Sequence, residues 1–307
     1  MRVLFLNHKQ RQCGVYQYGK RTYNLLKQSL LIDFYYEEVE NEDEYVTAVK
    51  NLTPNAIIYN YHNLTMAWLG KQHTSLFPLM THFGIHHEGS IPYHIGFNYQ
   101  LHANSTFVNT KTEMALPRPL LEYNKPSKEN DIPIIGSFGF GFGHKGFGSI
   151  IKLVNDQFER ADIKLHIPRA YYGDNDGSAT AGVVPGCWNE MYNKNVTLSI
   201  SHGFLSEDEL LNFLSDNTLN VFLYHETGNV GLSSVIDYAL SVDTPIAVNK
   251  TSMFRHINRA VPSICVEDKT LPEIIKEGVI PLLPLKKQFS ISNFVDTFEH
   301  ILLNNTR

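Results

Sequence analysis

Residues 134–148 read IIGSFGFGFGHKGFG, and this stretch indicates the fold of the whole chain. Its apolar beginning, Ile134 to Phe138, predicts a buried strand, and a helix is expected from Ser149 onward. The glycine-rich loop between them, Gly139 to Gly148, allows the backbone to turn sharply where the strand gives way to the helix. A strand, a glycine loop and a helix in this order are typical of an α/β fold with a parallel sheet.

The same alternation of strands and helices extends to both sides of this stretch. Upstream, the apolar pattern predicts strands at Arg2 to Asn7, Phe34 to Val39, Ala56 to Tyr61, Leu76 to His82 and Ser105 to Val108, and helices at Val15 to Leu31 and Asp43 to Leu52. Downstream, it predicts strands at Ile163 to Ile167, Val196 to Ser199, Leu219 to Tyr224 and Pro245 to Val248, and helices at Ser206 to Asp216, Ser233 to Ser241 and Ser292 to Leu303. Ser206 and Glu209 have the spacing of a capping box. Elements that alternate in this way predict parallel sheets.

The length and the proline pattern predict two domains. A chain of 307 residues is long enough for two domains of roughly 100–200 residues each. Four prolines lie among charged residues between Pro117 and Pro133, which indicates a linker. We therefore expect one domain over residues 1–125, a second over 126–288 and a terminal helical segment over 289–307.

The composition argues against several classes of protein. Hydrophobic residues make up 43% and charged residues 19%, as in ordinary globular proteins, and the net charge of −5 disfavours a general attraction to nucleic acid. The cysteines Cys13, Cys187 and Cys265 are too sparse for a disulfide framework and include no CxxC pair. The start MRVLFLN is too short an apolar run for a signal peptide, and no stretch has the length of a membrane span. A cytoplasmic location is expected, with peripheral attachment to a membrane left open.

Two strand–helix loops are candidate anion sites. In the loop 139–148, glycines flank His144 and Lys145, so the backbone could approach a phosphate to which the lysine adds a positive charge. The alternative is a flexible turn with a surface lysine; the GxxxxGK[ST] pattern of a Walker loop is absent. The second loop runs from Gly231 to Ser234 into a helix, and its alternative is a simple serine N-cap. Two such sites at one sheet edge predict a diphosphate ligand.

Other polar groups have weaker interpretations. Gly14 lies where the first strand turns into the first helix, among Lys9, Arg11, Lys20 and Arg21, which could equally form a solvated basic helix face. Histidines follow several predicted strands, namely His62, His82, His86, His87 and His94. A metal site at His86, His87 and Glu88 is disfavoured because adjacent side chains in an extended segment point in opposite directions. Asp174 and Asp176 imitate a DxD motif, but their Gly/Asn/Ser-rich surroundings favour a solvated turn, and no metal is expected.

Three segments of the C-terminal half resemble a known family. Residues 134–147, 195–224 and 231–248 are similar to the nucleotide-binding domain of GT-B glycosyltransferases, above all to the retaining type in glycosyltransferase family four. The resemblance implies an α/β architecture of two Rossmann-like domains with a cleft between them, and a final helix that packs back on the N-terminal domain. It covers residues 130–250 well and residues 1–120 less well.

The resemblance also implies site residues. Lys145, followed by Gly146, matches the lysine that contacts the donor diphosphate, with His144 beside it. The other implied donor contacts are Gly231, Leu232, Ser233 and Ser234 at the diphosphate, His202, Gly203 and Phe204 near the base, and Gly14 and Val15 facing the phosphates. The family's histidine near the sugar matches His82 or, less well, His86.

The sequence departs from the family pattern at two places. Phe140, Gly141 and Phe142 stand where an arginine usually precedes the lysine. The family also has two glutamates seven residues apart; here Tyr238 takes the second position, Asp237 lies beside it and Glu226 lies in the preceding loop. We therefore take Glu226 as a catalytic candidate with Lys145 and His82, and Asp237 as a donor contact.

The expected activity is the metal-independent transfer of a sugar, with retention, from a nucleoside diphosphate sugar to a hydroxyl acceptor. The nucleotide-sugar is a co-substrate, no cofactor is expected, and the acceptor could be a glycan, a lipid-linked sugar or a modified nucleobase. The alternative is a non-catalytic nucleotide- or sugar-binding protein on the same fold, which the two departures favour. A glycosidase is disfavoured because no pair of acids can be assigned as acid and nucleophile.

Overall fold

Two separate sheets form the framework of the chain in the computed structural model, which describes residues 1–87, 92–103, 110–125, 130–171, 173–228 and 231–306. The chain divides into two compact units. Unit 1 comprises Met1–Pro119 and Gln288–Arg307, and unit 2 comprises Leu120–Lys287. Among the described residues, no helix has both the length and the apolar character needed to cross a lipid bilayer.

Unit 1 contains a parallel sheet of six strands in the order β2-β1-β3-β4-β5-β6. The strands are β1 (Arg2–Asn7), β2 (Asp33–Glu38), β3 (Ala56–Asn60), β4 (Thr81–His86), β5 (Tyr99–His102) and β6 (Glu113–Ala115). The helices of this unit are α1 (Gly14–Leu26), α2 (Glu42–Leu52), α3 (Lys71–Ser75) and, from the end of the chain, α10 (Ile291–Asn305). The predicted strand Ser105 to Val108 lies outside the described residues.

Alternate residues of β1 supply the cores on the two faces of this sheet. Val3 and Phe5 join the core in which α1 and α10 take part, where Phe294 and Phe298 of α10 are fully buried. Leu4 and Leu6 join the core on the other face with residues of α2. Since β1 is apolar on both faces, the short run RVLFLN predicts its strand correctly.

The fourth strand differs from the prediction. The apolar run Leu76 to His82 suggested a strand, but β4 begins only at Thr81, and the side chains of Leu76 and Leu79 are 51% and 91% exposed. The strand instead uses the less apolar sequence THFGIH, in which Gly84 makes room for a ring: a Cβ there would lie 2.2 Å from Phe97. The strand packs closely against this ring, a contact that the local hydrophobic pattern does not reveal.

Unit 2 contains a parallel sheet of five strands in the order β11-β10-β7-β8-β9. The strands are β7 (Ile134–Phe138), β8 (Ala161–His166), β9 (Val196–Ser201), β10 (Leu219–Phe222) and β11 (Ile246–Val248). The helices are α4 (Phe147–Gln157), α5 (Ser178–Asn189), α6 (Glu207–Ser215), α7 (Val235–Ser241), α8 (Leu271–Glu277) and α9 (Leu283–Gln288). The predicted α/β class and parallel strands are confirmed in both sheets.

The capping box at α6 is present as predicted. The Glu209 N–H donates to Ser206 Oγ at 3.3 Å, and the Ser206 N–H donates to Glu209 Oε2 at 2.8 Å. Helix α5 was not predicted, because it is weakly patterned and contains Pro185. The core of unit 2 lies between the sheet and helices that include α4 and α8, where Ile135, Ile163 and Val221 are fully buried.

Candidate functional site

The strand order of unit 2 identifies one edge of its sheet as a place for a ligand. The chain passes from β7 to β8 and β9 on one side, and then returns to β10 and β11 on the other. The carboxyl ends of β7 and β10 therefore border a topological switch point, where open α/β sheets bind ligands. The loops that leave these two strands begin at Gly139 and Leu223.

Gly146 fixes the loop after β7 against the loop after β10. Its φ is +65°, in the left-handed region, and a Cβ at this position would lie 1.7 Å from the carbonyl oxygen of Leu223. Only glycine fits there, because both the backbone conformation and the space exclude a side chain. The His225 N–H donates to the His144 carbonyl at 2.8 Å, which joins the loops a second time. Gly146 is also the residue before the first turn of α4.

Lys145 lies over an aromatic ring at this junction. It ends a short 3₁₀ turn, Gly143–Lys145, and its Nζ is 4.0 Å from the centroid of the Tyr224 ring. A cation in this position is attracted by the electrons of the ring face. The Tyr224 hydroxyl in turn accepts a hydrogen bond from Ser233 Oγ at 3.0 Å. Tyr224 thus links the predicted diphosphate lysine with the loop 231–234.

The backbone of Tyr224 is held by a side chain from the neighbouring strand end. Its N–H donates to Asn249 Oδ1 at 3.1 Å, and its carbonyl accepts from Asn249 Nδ2 at 2.8 Å. The ring, which is 1% exposed, also packs on Phe254 with centroids 4.7 Å apart. The sequence prediction did not identify Tyr224 or Asn249 as site residues, since their roles depend on the pairing of β10 with β11.

The glycine loop is also held on the side of α5. A Cβ at Gly141 would lie 2.5 Å from the backbone Cα of Thr180, so this glycine allows the loop to touch the first turn of that helix. Asp174, which was predicted to lie in a solvated turn, is 1% exposed. Its carboxylate accepts hydrogen bonds from the N–H groups of Ala179 and Thr180 and from the Thr180 hydroxyl. Asp174 is therefore a buried cap for α5, because free N–H groups at a helix start attract a carboxylate.

The loop 231–234 is organised differently from the prediction. The helix that follows begins at Val235, not at Ser233, and it has seven residues. The Ser233 N–H donates to the Met253 carbonyl at 3.2 Å and its hydroxyl donates to Tyr224, so Ser233 is bonded within the protein. Arg255 Nη1 donates to the Gly231 carbonyl at 3.0 Å and to the Ser252 carbonyl at 2.6 Å. The turn after β11 thus holds this loop in place, and Arg255 brings a guanidinium to it.

Glu226 is an exposed carboxylate with several donors. It accepts hydrogen bonds from the Ser252 hydroxyl at 2.6 Å, from the Ser252 N–H at 2.8 Å and from the Gly228 N–H at 3.0 Å. These bonds lower its pKa from 4.5 to about 2. The carboxylate is ionised at neutral pH and caps the turn after β11. It is poorly suited to act as a general acid, because it would have to hold a proton near pH 7.

The remaining predicted donor contacts of unit 2 have different surroundings. His144 is half-buried and stacked on Phe142, and burial lowers its pKa. Gly203 and Phe204 follow β9 at the same edge of the sheet, and the Phe204 side chain is 47% exposed. His202 Nδ1 is 3.0 Å from the Ile167 carbonyl. Asp237 is 1% exposed in the first turn of α7.

In unit 1 the predicted residues Gly14 and Val15 form the start of α1, near the carboxyl end of β1. Gly14 is exposed, and a Cβ there would meet no atom of the described residues within 4 Å, so packing among them does not require this glycine. Asn60 Nδ2 donates to the Val15 carbonyl at 2.8 Å and to Asn7 Oδ1 at 2.9 Å. Buried asparagines at the ends of β1 and β3 therefore anchor the first turn of the helix.

The position of His82 does not suit its predicted role. It is the second residue of β4 and so lies at the amino end of the strand, opposite the edge where ligands bind. It is 3% exposed, with Nδ1 2.8 Å from the Tyr59 hydroxyl and Nε2 3.1 Å from the Phe77 carbonyl. Both ring nitrogens have partners within the core, and burial lowers its pKa. The error follows from the misplaced strand, since His82 was expected to end it.

Two other histidines stand at the carboxyl end of β4. His86 is 3% exposed and bonds to Gln100 Oε1 through Nε2. His87 Nε2 is 2.8 Å from Asn60 Oδ1, and its ring meets the Tyr18 ring edge-on at 4.7 Å. Burial lowers the pKa of both rings, that of His86 to about 4. Glu88, the third member of the disfavoured metal group, lies outside the described residues.

Comparisons with known proteins support the fold. No protein-family model matches the sequence, and no curated protein matches it significantly. Among solved structures, HepE from Anabaena in complex with UDP-glucose has a TM-score of 0.66 at 11% identity, over 99% of this chain and 100% of that chain. A glycosyltransferase from Rickettsia africae has a TM-score of 0.62 at 10% identity, over 99% of this chain and 94% of that one. A UDP-forming trehalose-phosphate synthase from Burkholderia xenovorans was solved in complex with glucose-6-phosphate. It has a TM-score of 0.61 at 9% identity, over 99% of this chain and 100% of that chain. The chain has the fold of GT-B glycosyltransferases, as predicted.

Proposed function

We propose that this chain transfers a sugar from a nucleoside diphosphate sugar to a hydroxyl acceptor. The observation that carries the proposal is the Lys145 ammonium, which lies 4.0 Å above the Tyr224 ring at the switch point of the unit 2 sheet. Gly146 fixes the backbone beside it. An ammonium held at this edge would stabilise the negative charge that develops on a departing diphosphate.

In the proposed step, the bond between the anomeric carbon and the diphosphate oxygen breaks while the acceptor oxygen bonds to that carbon. The acceptor proton passes to the departing diphosphate oxygen, on the same face, so the anomeric configuration is retained. Glu226 is not assigned as the proton donor, because its low pKa keeps it ionised. We assign the charge stabilisation to Lys145.

The similar structures support a working choice of base and sugar. HepE was solved with UDP-glucose, and the trehalose-phosphate synthase is named UDP-forming. The exposed Phe204 at the end of β9 offers a ring face on which a uracil could stack. We therefore propose a uridine diphosphate hexose as the donor to test first.

The first prediction is that Lys145→Ala lowers donor turnover by roughly ten- to a few-hundred-fold. A charged hydrogen bond contributes about 1.5–3 kcal/mol, and each 1.36 kcal/mol is about tenfold in rate. The measurements are calorimetric binding of uridine and of UDP, together with UDP-glucose turnover. UDP binding should weaken more than uridine binding. Lys152→Ala, an exposed lysine on α4, is the matched control and should leave both unchanged. If Lys145→Ala binds UDP and turns over donor as the wild type does, the donor site lies elsewhere.

The second prediction is that turnover persists in excess chelator, since Lys145 in this proposal supplies the charge that a divalent ion supplies in metal-dependent transferases. UDP-glucose turnover is measured with and without a chelator, and with added Mn²⁺ or Mg²⁺. A strict requirement for either ion would contradict the metal-independent mechanism.

The alternative is a non-catalytic nucleotide- or sugar-binding protein on the same fold. The observation that favours it is the environment of Glu226, whose carboxylate is occupied by the turn at Ser252. A hydrolysis assay separates the two functions, because a transferase is expected to transfer the donor sugar slowly to water and a binding protein is not. Tight UDP binding without any release of glucose from UDP-glucose would support the binding protein over the enzyme.

A further inference from the structure

The loops that leave β1 and β3 in unit 1 bring together three side chains that can bind a metal ion. In this sheet β1 lies between β2 and β3, so the carboxyl ends of β1 and β3 border a topological switch point. His8 directly follows β1, Cys13 directly precedes α1, and His62 follows β3. Each offers one ligand atom, and these atoms all lie within 4.8 Å of one another.

His8 contributes a buried nitrogen that has no hydrogen-bond partner among the described residues. Its side chain is 1% exposed, and its Nδ1 accepts a hydrogen bond from the Gln10 N–H at 3.2 Å. Within the described part of the chain, no group forms a hydrogen bond with Nε2. Buried polar atoms in proteins are nearly always paired, so this imidazole nitrogen at a switch point is suited to take a ligand.

His62 is oriented by its other ring nitrogen. Its Nδ1 is 3.0 Å from Thr65 Oγ1, and the ring places one ligand atom within 4.8 Å of those of His8 and Cys13. Metal-binding histidines are usually oriented in this way, by a hydrogen bond at the nitrogen that does not touch the metal. The rings of His8 and His62 have centroids 5.6 Å apart.

Cys13 stands at the N-cap position of α1 and is 8% exposed. Burial raises the pKa of its thiol, and the N–H groups of Tyr16 and Val15 act against that effect. The positive end of a 13-residue helix acts in the same direction as these N–H groups, towards the thiolate that binds metal, while burial keeps the net pKa raised.

We infer that His8, Cys13 and His62 form a binding site for a zinc-class transition-metal ion, with at least one coordination position open. One thiolate and two imidazoles suit such an ion and do not suit Mg²⁺ or Ca²⁺, which prefer oxygen ligands. In a tetrahedral zinc site the ligand atoms are about 3.3–3.6 Å apart, as metal–ligand bonds of about 2.0–2.3 Å require. Small side-chain rotations must therefore bring the three groups closer together when the ion binds.

Binding of the metal ion releases the thiol proton of Cys13 and moves the ring proton of His8 from one nitrogen to the other. The thiol of Cys13 must lose its proton, so affinity should rise with pH. In the free protein the Gln10 N–H points at His8 Nδ1, which places the ring proton on Nε2. An ion on Nε2 requires the proton on Nδ1 instead, so the Gln10 amide must turn away.

The test uses Co²⁺ as a spectroscopic probe on the purified full chain, because a thiolate bound to Co²⁺ gives an intense charge-transfer band in the near ultraviolet. We expect one Co²⁺ per chain with that band, displacement by Zn²⁺, and a shift of the Gln10 amide resonance on binding. Cys13→Ser should abolish the band and weaken Zn²⁺ binding by more than about a hundredfold, since losing even an outer-shell partner costs up to that much. His62→Ala should weaken binding comparably.

Matched controls separate this site from other cysteines and from surface histidines. Cys187→Ala, in unit 2, and His94→Ala, at an exposed position, should leave the band and the affinity unchanged. Circular dichroism without metal checks folding; if Cys13→Ser does not fold, the half-buried His62→Ala decides. The inference is overturned if wild type shows no band at saturating Co²⁺, if the band survives Cys13→Ser, or if it disappears in Cys187→Ala. The test measures metal binding and not sugar transfer, so its outcome is independent of the proposed activity.

Discussion

At the scale of single residues, the partner of Lys145 explains why its charge remains available. An ammonium over an aromatic face is held by about 0.5–2 kcal/mol, whereas a charged hydrogen bond contributes about 1.5–3 kcal/mol. Tyr224 therefore holds the Lys145 ammonium beside the loop after β10 without neutralising it. A diphosphate could then take over the ammonium at a small cost.

The third prediction concerns the hydrogen bond between Ser233 and Tyr224. Tyr224→Phe keeps the ring under Lys145 and removes the acceptor of the buried Ser233 hydroxyl. We expect the free energy of unfolding of unit 2 to fall by about 1–3 kcal/mol, because a buried donor is left without its partner. UDP affinity should change little.

A double-mutant cycle provides the control for this prediction. Ser233→Ala removes the other half of the bond, and the double variant should be less destabilised than the sum of the two single variants. Urea unfolding of the four proteins gives the coupling. Strict additivity would mean that the 3.0 Å contact contributes nothing to stability.

At the scale of elements, the glycine loop is confined on two sides. Gly141 lies against the first turn of α5, and Gly146 lies against the carbonyl of Leu223. A loop rich in glycine would be mobile in isolation, because glycine has the largest backbone freedom. Here close packing removes much of that freedom, so Lys145 is presented by a fixed turn.

The fourth prediction compares two glycines of this loop. Gly146→Ala should displace the loop from Leu223 and reduce UDP affinity together with stability, because its φ of +65° and a Cβ contact of 1.7 Å both exclude alanine. Gly143→Ala is the matched control, since a Cβ there would lie more than 4 Å from every atom that the structure describes. Thermal unfolding and UDP titration of both variants test the prediction. If the two variants had the same unfolding temperature and the same UDP affinity, the contact with Leu223 would contribute to neither.

Local sequence predicted those elements whose apolar pattern is unambiguous. Strands β1 and β7 have the predicted bounds, because each is a short apolar run that is buried along most of its length. The predicted bounds of β4 were wrong, because the strand Thr81–His86 is less apolar than the run before it and packs Gly84 against Phe97, a contact that the local pattern does not contain.

The candidate site was only partly predictable for the same reason. Lys145 could be found from its glycine-rich loop, which is a local signal. Tyr224 and Asn249 could not, since they meet only through the pairing of β10 and β11. The two aspartates of GDNDG were assigned to a solvated turn from composition alone, although Asp174 is buried by its bonds to α5.

At the scale of the whole molecule, unit 1 contains buried neutral histidines that make its stability depend on pH. Burial lowers the pKa of His8 from 6.5 to about 4, with a further contribution from His62. Burial also lowers the pKa of His86 from 6.5 to about 4. The unfolded chain takes up protons at these rings below pH 6.5, and the folded unit does not do so until about pH 4.

The fifth prediction is that unit 1 loses stability as the pH falls from 6.5 towards 4. Between these values the unfolded state binds one more proton at each ring, so stability decreases by about 1.4 kcal/mol per pH unit for each histidine. Trp68 lies in unit 1 and Trp188 in unit 2, so the Trp188→Phe variant reports on unit 1 by fluorescence. Urea unfolding in chelator at several pH values gives the slope.

Two histidine variants test this prediction, one at a titrating ring and one at a control position. His8→Asn should reduce the slope by about 1.4 kcal/mol per pH unit, because one of the titrating rings is gone. His94→Asn, at an exposed position, should leave the slope unchanged. A stability of unit 1 that stays flat between pH 6.5 and 4 would mean that these rings are protonated alike in both states.

The side chain of Asn249, which bonds both the N–H and the carbonyl of Tyr224, has a consequence for how such a site can change over generations. Most single substitutions leave hydrogen bonds between main chains unchanged, since every residue except proline brings the same N–H and carbonyl groups. Here the two hydrogen bonds to the Tyr224 backbone are made by the side chain of Asn249, so a single substitution can alter them. Descendants of this gene could therefore adjust the tilt of the Tyr224 ring, and with it the reach of Lys145, while the sheet that supports them stays the same.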